Sequence, residues 1–243
     1  MGFRQVFSFL VWFGSYVVVD AQARLPWLEE QGSTAEQLDE QLAVPSSVWN
    51  DIMHVGDSTT VHASATEITK LGRELVFGEL TPKGIRQIIQ TSDMDTQPSV
   101  FLDLGSGTSL AVVLVALLAP SVQRSIGLEY AHTRHTIGME RWKILHANSP
   151  ELAQRIRVWQ GNFLDPAWIP QLQEVTVVFS NSIMFGPDTQ RGIQELITTQ
   201  LPNVRFVISG IQFHEDCYHQ HFDVSWGSDT FALWACDMRL LKR

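Results

Sequence analysis

Short apolar segments alternate with longer helical patterns over the second half of the chain, and this alternation limits the fold more than any other feature. The predicted strands cover 100–104, 125–129, 157–160, 175–181 and 204–209. Helical patterns lie between them at 109–118, 131–147 and 188–200. Apolar strands separated by helices favour a parallel sheet that is covered on both faces. We therefore expect a doubly wound α/β fold with a mostly parallel sheet.

The C-terminal pattern differs from this alternation. The apolar segments 222–226 and 230–240 flank Gly227-Ser228-Asp229, which is typical of a hairpin turn. Such a hairpin would add antiparallel strands at one edge of the sheet. We therefore expect a seven-stranded, Rossmann-like sheet, made of the five predicted strands and the two strands of this hairpin.

The residues before this core have a helical character. Helical or short apolar patterns cover 34–42, 48–55 and 65–75. A further helix begins at Thr81-Pro82, because threonine can cap a helix and proline suits its first turn. We therefore divide the residues after 23 into an N-terminal helical extension, 24–98, and a ligand-binding domain, 99–243.

Residues 1–23 have the layout of a secretory signal peptide. Arg4 precedes the apolar run 6–19, and Ala21-Gln22-Ala23 follows it with small residues at alternate positions. The run is shorter than the stretch of about 20 residues that a membrane-spanning helix needs. We expect this segment to direct the chain to the secretory pathway, or to contact a membrane through 6–19 where it stays uncleaved. The alternative is an apolar helix or strand that packs on the domain.

The charge balance limits the kind of partner. The 243-residue chain has 26 Asp and Glu side chains against 17 Lys and Arg side chains, a formal net charge of -9 at pH 7. Proteins that neutralise many phosphates need the opposite balance. The sequence therefore predicts no strong unaided binding of nucleic acid.

The most specific local pattern is the run Phe-Leu-Asp-Leu-Gly-Ser-Gly at 101–107, in which a predicted strand ends in glycines before an apolar helix. Gly105 and Gly107 let the backbone approach a ligand closely. Glu129 closes the next strand, where an acidic side chain can accept hydrogen bonds from ribose hydroxyls. Asp103 brings a second carboxylate to the same edge. The alternative is a tight turn without a ligand.

A third candidate element is Gly161-Asn162-Phe163, after the third predicted strand. Asn162 can pair with the amino group of adenine, and Phe163 can cover the face of the ring. The alternative is a turn with a core phenylalanine. A dinucleotide site is disfavoured, because the third glycine of the pyrophosphate fingerprint is absent.

The run Asp-Leu-Gly-Ser-Gly at 103–107 resembles the first motif of S-adenosylmethionine-dependent methyltransferases, which implies S-adenosyl-L-methionine as cofactor. The similarity extends from about residue 66 to the C terminus through motifs in one order. They are Phe77-Gly78-Glu79, Asp103-Leu-Gly-Ser-Gly107, Gly127-Leu-Glu129, Gly161-Asn-Phe163, Phe179-Ser-Asn-Ser-Ile-Met-Phe-Gly186 and Val224-Ser-Trp226. This series resembles the disruptor-of-telomeric-silencing family, the non-SET histone lysine methyltransferases.

The resemblance implies a protein-lysine N-methyltransferase that acts on a histone in the nucleus. The cofactor residues that it implies are Glu79, Asp103, Gly105, Ser106, Gly107, Glu129, Asn162 and Phe163. The residues that it implies beside the transferring methyl group, or along an aromatic channel for the lysine, are Asn181, Phe185, Trp226 and Phe231. Methyl transfer is an in-line displacement, so the site must align donor and acceptor.

The sequence departs from the family pattern at several positions. Thr108-Ser109 stands where another glycine is usual, Asn162 replaces the adenine-binding aspartate, and Ser182 replaces the second asparagine of the channel motif. Phe231 occupies a position where tyrosine is usual, and the lysine-rich segment that commonly holds nucleosomal DNA is absent. The alternatives are a methyltransferase of the same fold that acts on another protein or a small molecule, and a cofactor-binding pseudoenzyme.

A separate cluster combines residue types that are common at metal sites. His214-Glu-Asp-Cys217 is followed by His219 and His221, which would lie on one face of a strand. Because no fourth ligand is evident, we expect no metal site and interpret the segment as a polar loop that enters the hairpin. Cys217 and Cys236 are too few for a disulfide scaffold and leave the redox compartment open.

Overall fold

One sheet of seven strands forms the centre of the computed structural model, which describes residues 44–55, 78–224 and 230–241. The strands are β1 (Ser99–Leu104), β2 (Val122–Glu129), β3 (Ile156–Gln160), β4 (Val177–Ser180), β5 (Phe206–Ser209), β6 (Tyr218–Asp223) and β7 (Thr230–Asp237). Their order is β3-β2-β1-β4-β5-β7-β6. Strands β1 to β5 are parallel, whereas β7 is antiparallel to β5 and β6. The predicted doubly wound sheet with an antiparallel C-terminal hairpin is confirmed.

The order of the strands reverses next to β1. Asp103 on β1 is opposite Gly127 on β2 and opposite Phe179 on β4. In open α/β sheets, ligands bind outside the C-terminal ends of the strands at such a reversal. The fold therefore predicts a ligand site at the edge of the sheet where β1, β2 and β4 end.

Helices cover both faces of the sheet. In the described ranges they are α1 (Ser46–His54), α2 (Pro82–Thr91), α3 (Leu110–Leu118), α4 (His132–Asn148), α5 (Pro150–Ala153), α6 (Ile169–Leu172) and α7 (Pro187–Glu195). Short 3-10 turns cover Pro166–Trp168 and Ser182–Met184, and a π turn, Leu196–Gln200, continues α7. The helical pattern predicted over 188–200 is thus an α-helix that widens into a π turn.

Each face of the sheet has its own core. Trp49 of α1, Phe101 of β1 and Leu114 of α3 are fully buried in the cluster on one face. Leu102 of β1 and Ile193 of α7 are fully buried in the cluster on the other face. Successive residues of a strand point to opposite faces, so β1 supplies side chains to both cores. All residues of β1 are buried, as expected for a central parallel strand.

The described part of the N-terminal extension packs on this core, with α1 against α4 and α2 against α3 and β6. Thr81 caps α2 as predicted, because its hydroxyl oxygen accepts a hydrogen bond from Gly84 N at 3.1 Å. The helices predicted at 34–42 and 65–75, and the segment 1–23, lie outside the described residues. None of the helices in the described part is both long and apolar enough to span a membrane.

The C-terminal hairpin is longer than the sequence suggested. Strand β6 begins at Tyr218 rather than at the predicted position 222. Its first residues, Tyr218-His-Gln-His221, are mostly exposed because β6 is an edge strand, and they give no apolar pattern. Cys217, directly before β6, forms a disulfide with Cys236 on β7, with a Cα–Cα distance of 4.5 Å. Strand register reveals this pair, whereas spacing along the chain does not.

Two helical glycines provide a test of how α2 packs on β6. A Cβ atom on Gly84 would lie 2.1 Å from the backbone oxygen of Asp223, whereas a Cβ atom on Gly192 would meet the flexible end of Leu164 at 2.7 Å. Alanine is favoured over glycine in a helix by about 1 kcal/mol, so Gly192→Ala should maintain or raise the free energy of unfolding. Gly84→Ala should lower the free energy of unfolding by about 1–3 kcal/mol, because the backbone of Asp223 cannot move aside as a flexible side chain can.

Urea denaturation of the two variants measures this difference. Gly192→Ala is the matched control, since the same atoms are added to a helix on the other face of the sheet. Equal free energies of unfolding for the two variants would contradict the close contact between α2 and β6.

Candidate functional site

A cavity of about 160 Å³ lies at the C-terminal ends of β1, β2 and β4. The described residues that line it are Gly78, Glu79, Leu80, Asp103, Gly105, Ser106, Gly107, Ala111, Glu129, Tyr130, Arg134, Asn162, Phe163, Leu164, Phe179, Asn181, Phe185 and Thr189. All the predicted site residues are among them except Trp226 and Phe231. The structure therefore brings together residues that the sequence places on five separate segments.

The turn after β1 forms one wall with its backbone. Gly105 and Gly107 have φ angles of 82° and 55°, in the left-handed region that glycine adopts without strain. The Leu128 carbonyl fixes the turn by accepting hydrogen bonds from Gly105 N at 2.9 Å and Ser106 N at 3.0 Å. A Cβ atom on Gly105 would lie 3.2 Å from the Phe185 ring. The absence of a side chain at Gly105 thus lets Phe185 approach the turn.

Glu129 joins the end of β2 to this turn. The residue is buried, and its Oε2 accepts a hydrogen bond from Gly107 N at 2.7 Å while Oε1 accepts one from Ala131 N at 2.7 Å. One carboxylate thus connects the turn after β1 to the residues that follow β2, at the edge of the cavity.

Asp103 is a buried carboxyl group at the end of β1. The residue is 3% exposed, and no described residue donates a hydrogen bond to its side chain. Burial raises the pKa of Asp103 well above its ordinary value, and the neighbouring carboxylates of Glu129 and Glu79 raise it further. A cationic group in the cavity would offset both effects.

Arg141 on α4 is a buried cation behind the cavity. Its Nη1 donates a hydrogen bond to the Thr108 carbonyl at 2.9 Å and lies 3.3 Å from the Glu79 carboxylate. Its Nε donates to the Ile52 carbonyl at 3.1 Å, and its Nη2 donates to the Val55 carbonyl at 2.8 Å. One guanidinium group thus connects the turn after β1, Glu79 and the end of α1.

Thr108 completes this network at a position where the sequence departs from the family pattern. Its hydroxyl donates a hydrogen bond to the Glu79 carboxylate and accepts one from Arg141. The next residue, Ser109, has a φ angle of 58°, a backbone shape that suits glycine. The pair Thr108-Ser109 therefore keeps the turn geometry and adds a side-chain contact to Glu79.

An aromatic wall faces the turn. The rings of Phe163 and Phe185 have centroids 5.7 Å apart and are tilted by 33°. Beside them, Asn162 Oδ1 accepts a hydrogen bond from Leu164 N at 3.0 Å. This oxygen therefore stabilises a turn, as the alternative interpretation of Gly161-Asn162-Phe163 predicted. Asn162 also lines the cavity.

Asn181 follows β4 at the edge of the cavity. Its side chain does not cap the 3-10 turn that begins at Ser182, and it makes no hydrogen bond with a described residue. The neighbouring Ser182 has a structural role instead, because its Oγ accepts a hydrogen bond from Gly210 N at 3.1 Å. The amide of Asn181 is therefore left for the cavity that it lines.

The other two predicted channel residues are not brought to this cavity. Phe231 lies opposite Phe222 in the hairpin and packs against the core that contains α1, α2 and α3. Trp226 lies outside the described residues. A channel role for either residue stays a prediction.

A profile of the family described as Histone methylation protein DOT1 matches residues 58–226. The chain belongs to this family. The match includes the turn after β1, Glu129 and Asn181, so the resemblance that was inferred from the motifs is confirmed.

Several solved methyltransferase structures resemble this DOT1-family chain at low sequence identity. The methyltransferase domain of bacterial CtHen1 has a TM-score of 0.45 and 12% identity, over 54% of this chain and 65% of that one. The METTL16 methyltransferase domain has a TM-score of 0.47 and 12% identity, over 63% of this chain and 65% of that one. M. capricolum TrmK, in complex with S-adenosyl-homocysteine, has a TM-score of 0.43 and 9% identity, over 62% of this chain and 67% of that one. The chain thus spans about two thirds of these solved chains.

Sequence reasoning missed several residues around this cavity, and three of them are polar or charged side chains of α4 or of the segment just before it. Tyr130 and Arg134 line the cavity, and Arg141 binds the turn from behind. The two arginines belong to the buried face of α4, with Gly138 between them. A pair of arginines at helical spacing on an otherwise inward face was the pattern that could have indicated them.

The buried carboxyl of Asp103 predicts a pH-dependent stability. The folded protein binds the Asp103 proton more tightly than the unfolded chain does, because the pKa of this carboxyl is raised in the folded state. The contribution of Asp103 to the free energy of unfolding is therefore fully present below the ordinary aspartate pKa, and it is lost as the pH rises through the raised pKa. Asp103→Asn keeps the side-chain shape and removes the charge. The variant should therefore melt at a higher temperature than the wild type at about pH 8, and the difference should vanish below about pH 4.

Thermal melting between these pH values measures the effect. Asp95→Asn is the control, since Asp95 is exposed, and its melting difference from the wild type should be small at every pH. An Asp103→Asn variant without any gain at high pH would show that the carboxyl is not destabilised by its surroundings.

Proposed function

We propose that this protein is an S-adenosylmethionine-dependent methyltransferase that transfers a methyl group to a lysine side chain of another protein. The observation that carries the proposal is the composition of one cavity. It has buried carboxylates at one side, an aromatic pair at another, and the amide of Asn181, which no described residue binds, at the edge where β4 ends. Membership of the DOT1 family supports the same conclusion.

The residues of the cavity fit this cofactor. Asp103 offers a buried carboxyl to which no described residue donates a hydrogen bond, and this suits the ammonium group of the amino-acid part of the cofactor. Glu129 lines the cavity at the end of β2, where a carboxylate can accept hydrogen bonds from ribose hydroxyls. Phe163 offers a ring face to the adenine. When bound, the cofactor would supply an electrophilic methyl group on a sulfonium.

The protein's part in the reaction is to align and desolvate the acceptor. A lysine must present its amine without the proton, and a dry aromatic surrounding lowers the pKa of a lysine because it disfavours the charged form. Phe185 supplies such a surface beside Gly105. The Asn181 side-chain oxygen can accept a hydrogen bond from the amine and orient it without adding a charge. Alignment and desolvation of this kind supply large rate accelerations.

The substrate class is proposed from the family, whose description names histone methylation. The net charge of -9 opposes a docking mode that relies on nucleosomal DNA. The experiment that tests the class is incubation with radiolabelled cofactor and either nucleosomes, free histones or a whole-cell lysate. Label on a histone lysine supports the proposal, and label only on a small molecule would overturn it.

A second candidate is a methyltransferase for a non-histone protein of the secretory pathway. The observation that favours it is the disulfide between Cys217 and Cys236, because disulfides persist in oxidising compartments. The signal-like layout of residues 1–23 leads to the same expectation. A C-terminal tag locates the protein: secretion with a shortened N terminus supports this candidate, whereas nuclear protein that retains Met1 supports the histone role.

Asn181 provides the sharpest test of the proposed mechanism. If its amide orients the acceptor amine, Asn181→Ala should keep the fold and the cofactor affinity but lower turnover by about 100-fold or more. The neighbouring Ser182→Ala is the matched control. It should lower the free energy of unfolding by about 1 kcal/mol, since the hydrogen bond from Gly210 N is lost, and it should keep most of the turnover.

Thermal melting, calorimetric titration with cofactor and single-turnover rates on the same preparations separate the two roles. Near-normal turnover of Asn181→Ala would remove this residue from the reaction. A loss of stability in Asn181→Ala, with proportional loss of turnover, would assign it to the turn instead.

A further inference from the structure

The start of β6 and the end of β7 hold a cluster of ligand-type side chains away from the cavity. One metal-ligand atom from each of His214, Cys217 and Cys236 lies within 4.8 Å of the others. Cys217 and Cys236 are buried and bonded to each other. His214 comes from the segment that leaves β5, so three parts of the chain meet at this point.

The His214 ring has no hydrogen-bond partner among the described residues. Both of its nitrogens, Nδ1 and Nε2, are buried, and neither is paired. A neutral imidazole has one donor and one acceptor nitrogen, and burial of such groups without partners is costly. The ring is held beside the sulfur by its own backbone, because His214 N donates to Cys217 Sγ at 3.4 Å and Cys217 N donates to the His214 carbonyl at 3.3 Å. The arrangement places an unpaired imidazole next to two sulfur atoms.

The surroundings of the two cysteines are apolar. Cys217 and Cys236 belong to the same buried cluster as Phe213, Met238 and Val207. A thiolate in apolar surroundings is disfavoured unless a cation neutralises it. A reduced form of this pair would therefore be stabilised by a metal ion that binds sulfur and imidazole.

We propose that His214, Cys217 and Cys236 form a Zn²⁺ site when the disulfide is reduced, and that the disulfide is the metal-free state of the same cluster. Thiolate and imidazole are the ligands that zinc prefers, with Zn–S of about 2.3 Å and Zn–N of about 2.0 Å, so tetrahedral ligands lie roughly 3.8 Å apart. The ligand atoms already lie within 4.8 Å of one another, so small side-chain movements complete the geometry. The three protein ligands leave one position for water.

The exchange between the two states is a thiol–disulfide reaction. One thiolate attacks glutathione disulfide, an S–S bond breaks and a mixed disulfide forms with release of one glutathione thiolate. The second cysteine thiolate then attacks the mixed disulfide, forms the Cys217–Cys236 bond and releases a second glutathione thiolate. Two electrons pass from the cysteines to glutathione, and zinc leaves as Zn²⁺ without a change of oxidation state.

This site would make the C-terminal hairpin sensitive to its compartment. The cluster joins β6 to β7 at the end opposite the hairpin turn, and β7 also carries Phe231. A reducing compartment would favour the metal form and an oxidising one the disulfide. In either state the two strands stay connected at this end.

Metal titration of the full chain tests the proposal. The protein is reduced with a phosphine under anaerobic conditions, freed of metal and titrated with Co²⁺, which reports thiolate ligands through charge-transfer absorption. We expect one Co²⁺ per chain with thiolate absorption, displaced by one equivalent of Zn²⁺. The oxidised wild type is the control with identical sequence, and it should show no such absorption.

Variants identify the nitrogen ligand. His214→Ala should weaken metal binding roughly tenfold or more, whereas His219→Ala should leave it unchanged. His219 is a matched control, because it is on the same hairpin and its ring packs at a tilt of 38° against Trp234, outside the cluster. Addition of glutathione disulfide to the zinc form should release one Zn²⁺ and two glutathione thiols per chain. Reduced protein without thiolate absorption, or equal affinities for the two histidine variants, would overturn the proposal.

Discussion

The buried guanidinium of Arg141 holds together parts of the molecule that are distant in sequence. It binds carbonyls at the end of α1, the Thr108 carbonyl of the turn after β1, and the Glu79 carboxylate. Breaking a buried charge pair costs about 3–5 kcal/mol, because the remaining charge has no water to solvate it. The position of α1 and the shape of the turn after β1 therefore depend on the same side chain.

The cavity brings three acidic side chains together, with Arg134 in its lining and Arg141 behind it. Asp103, Glu129 and Glu79 lie near one another, and the pKa of Asp103 is raised by burial and by its two neighbours. Such a cluster lowers the stability of the unliganded protein and favours a cationic ligand in the same step. The proposed sulfonium cofactor carries positive charge. The same carboxyl groups that lower the stability of the unliganded protein would therefore raise its affinity for the cofactor. This is a common relation between stability and function at binding sites.

Much of the fold and part of the site follow from local patterns. Apolar strand segments ending in Gly105-Ser106-Gly107 and in Glu129 predict where a ligand meets a parallel sheet, because strand ends of one direction share one edge. Thr81 before Pro82 predicts the start of α2 for a similar local reason. The edge strand β6 was placed too late, since an exposed edge needs no apolar alternation. Arg141, which acts through distant partners, carried no local indication of which partners it binds.

The sequence by itself determined the sheet class, the glycine turn and the acidic strand ends, because backbone conformation and strand periodicity depend on neighbouring residues. It also placed Asn181 and Ser182 side by side without distinguishing them. Only the tertiary structure decided that Ser182 binds Gly210 while the Asn181 amide lines the cavity. Likewise, only the register of β6 against β7 brings Cys217 to Cys236 and both to His214. Contacts of this kind depend on how elements pack across the sheet, and no short-range pattern in the chain encodes that packing.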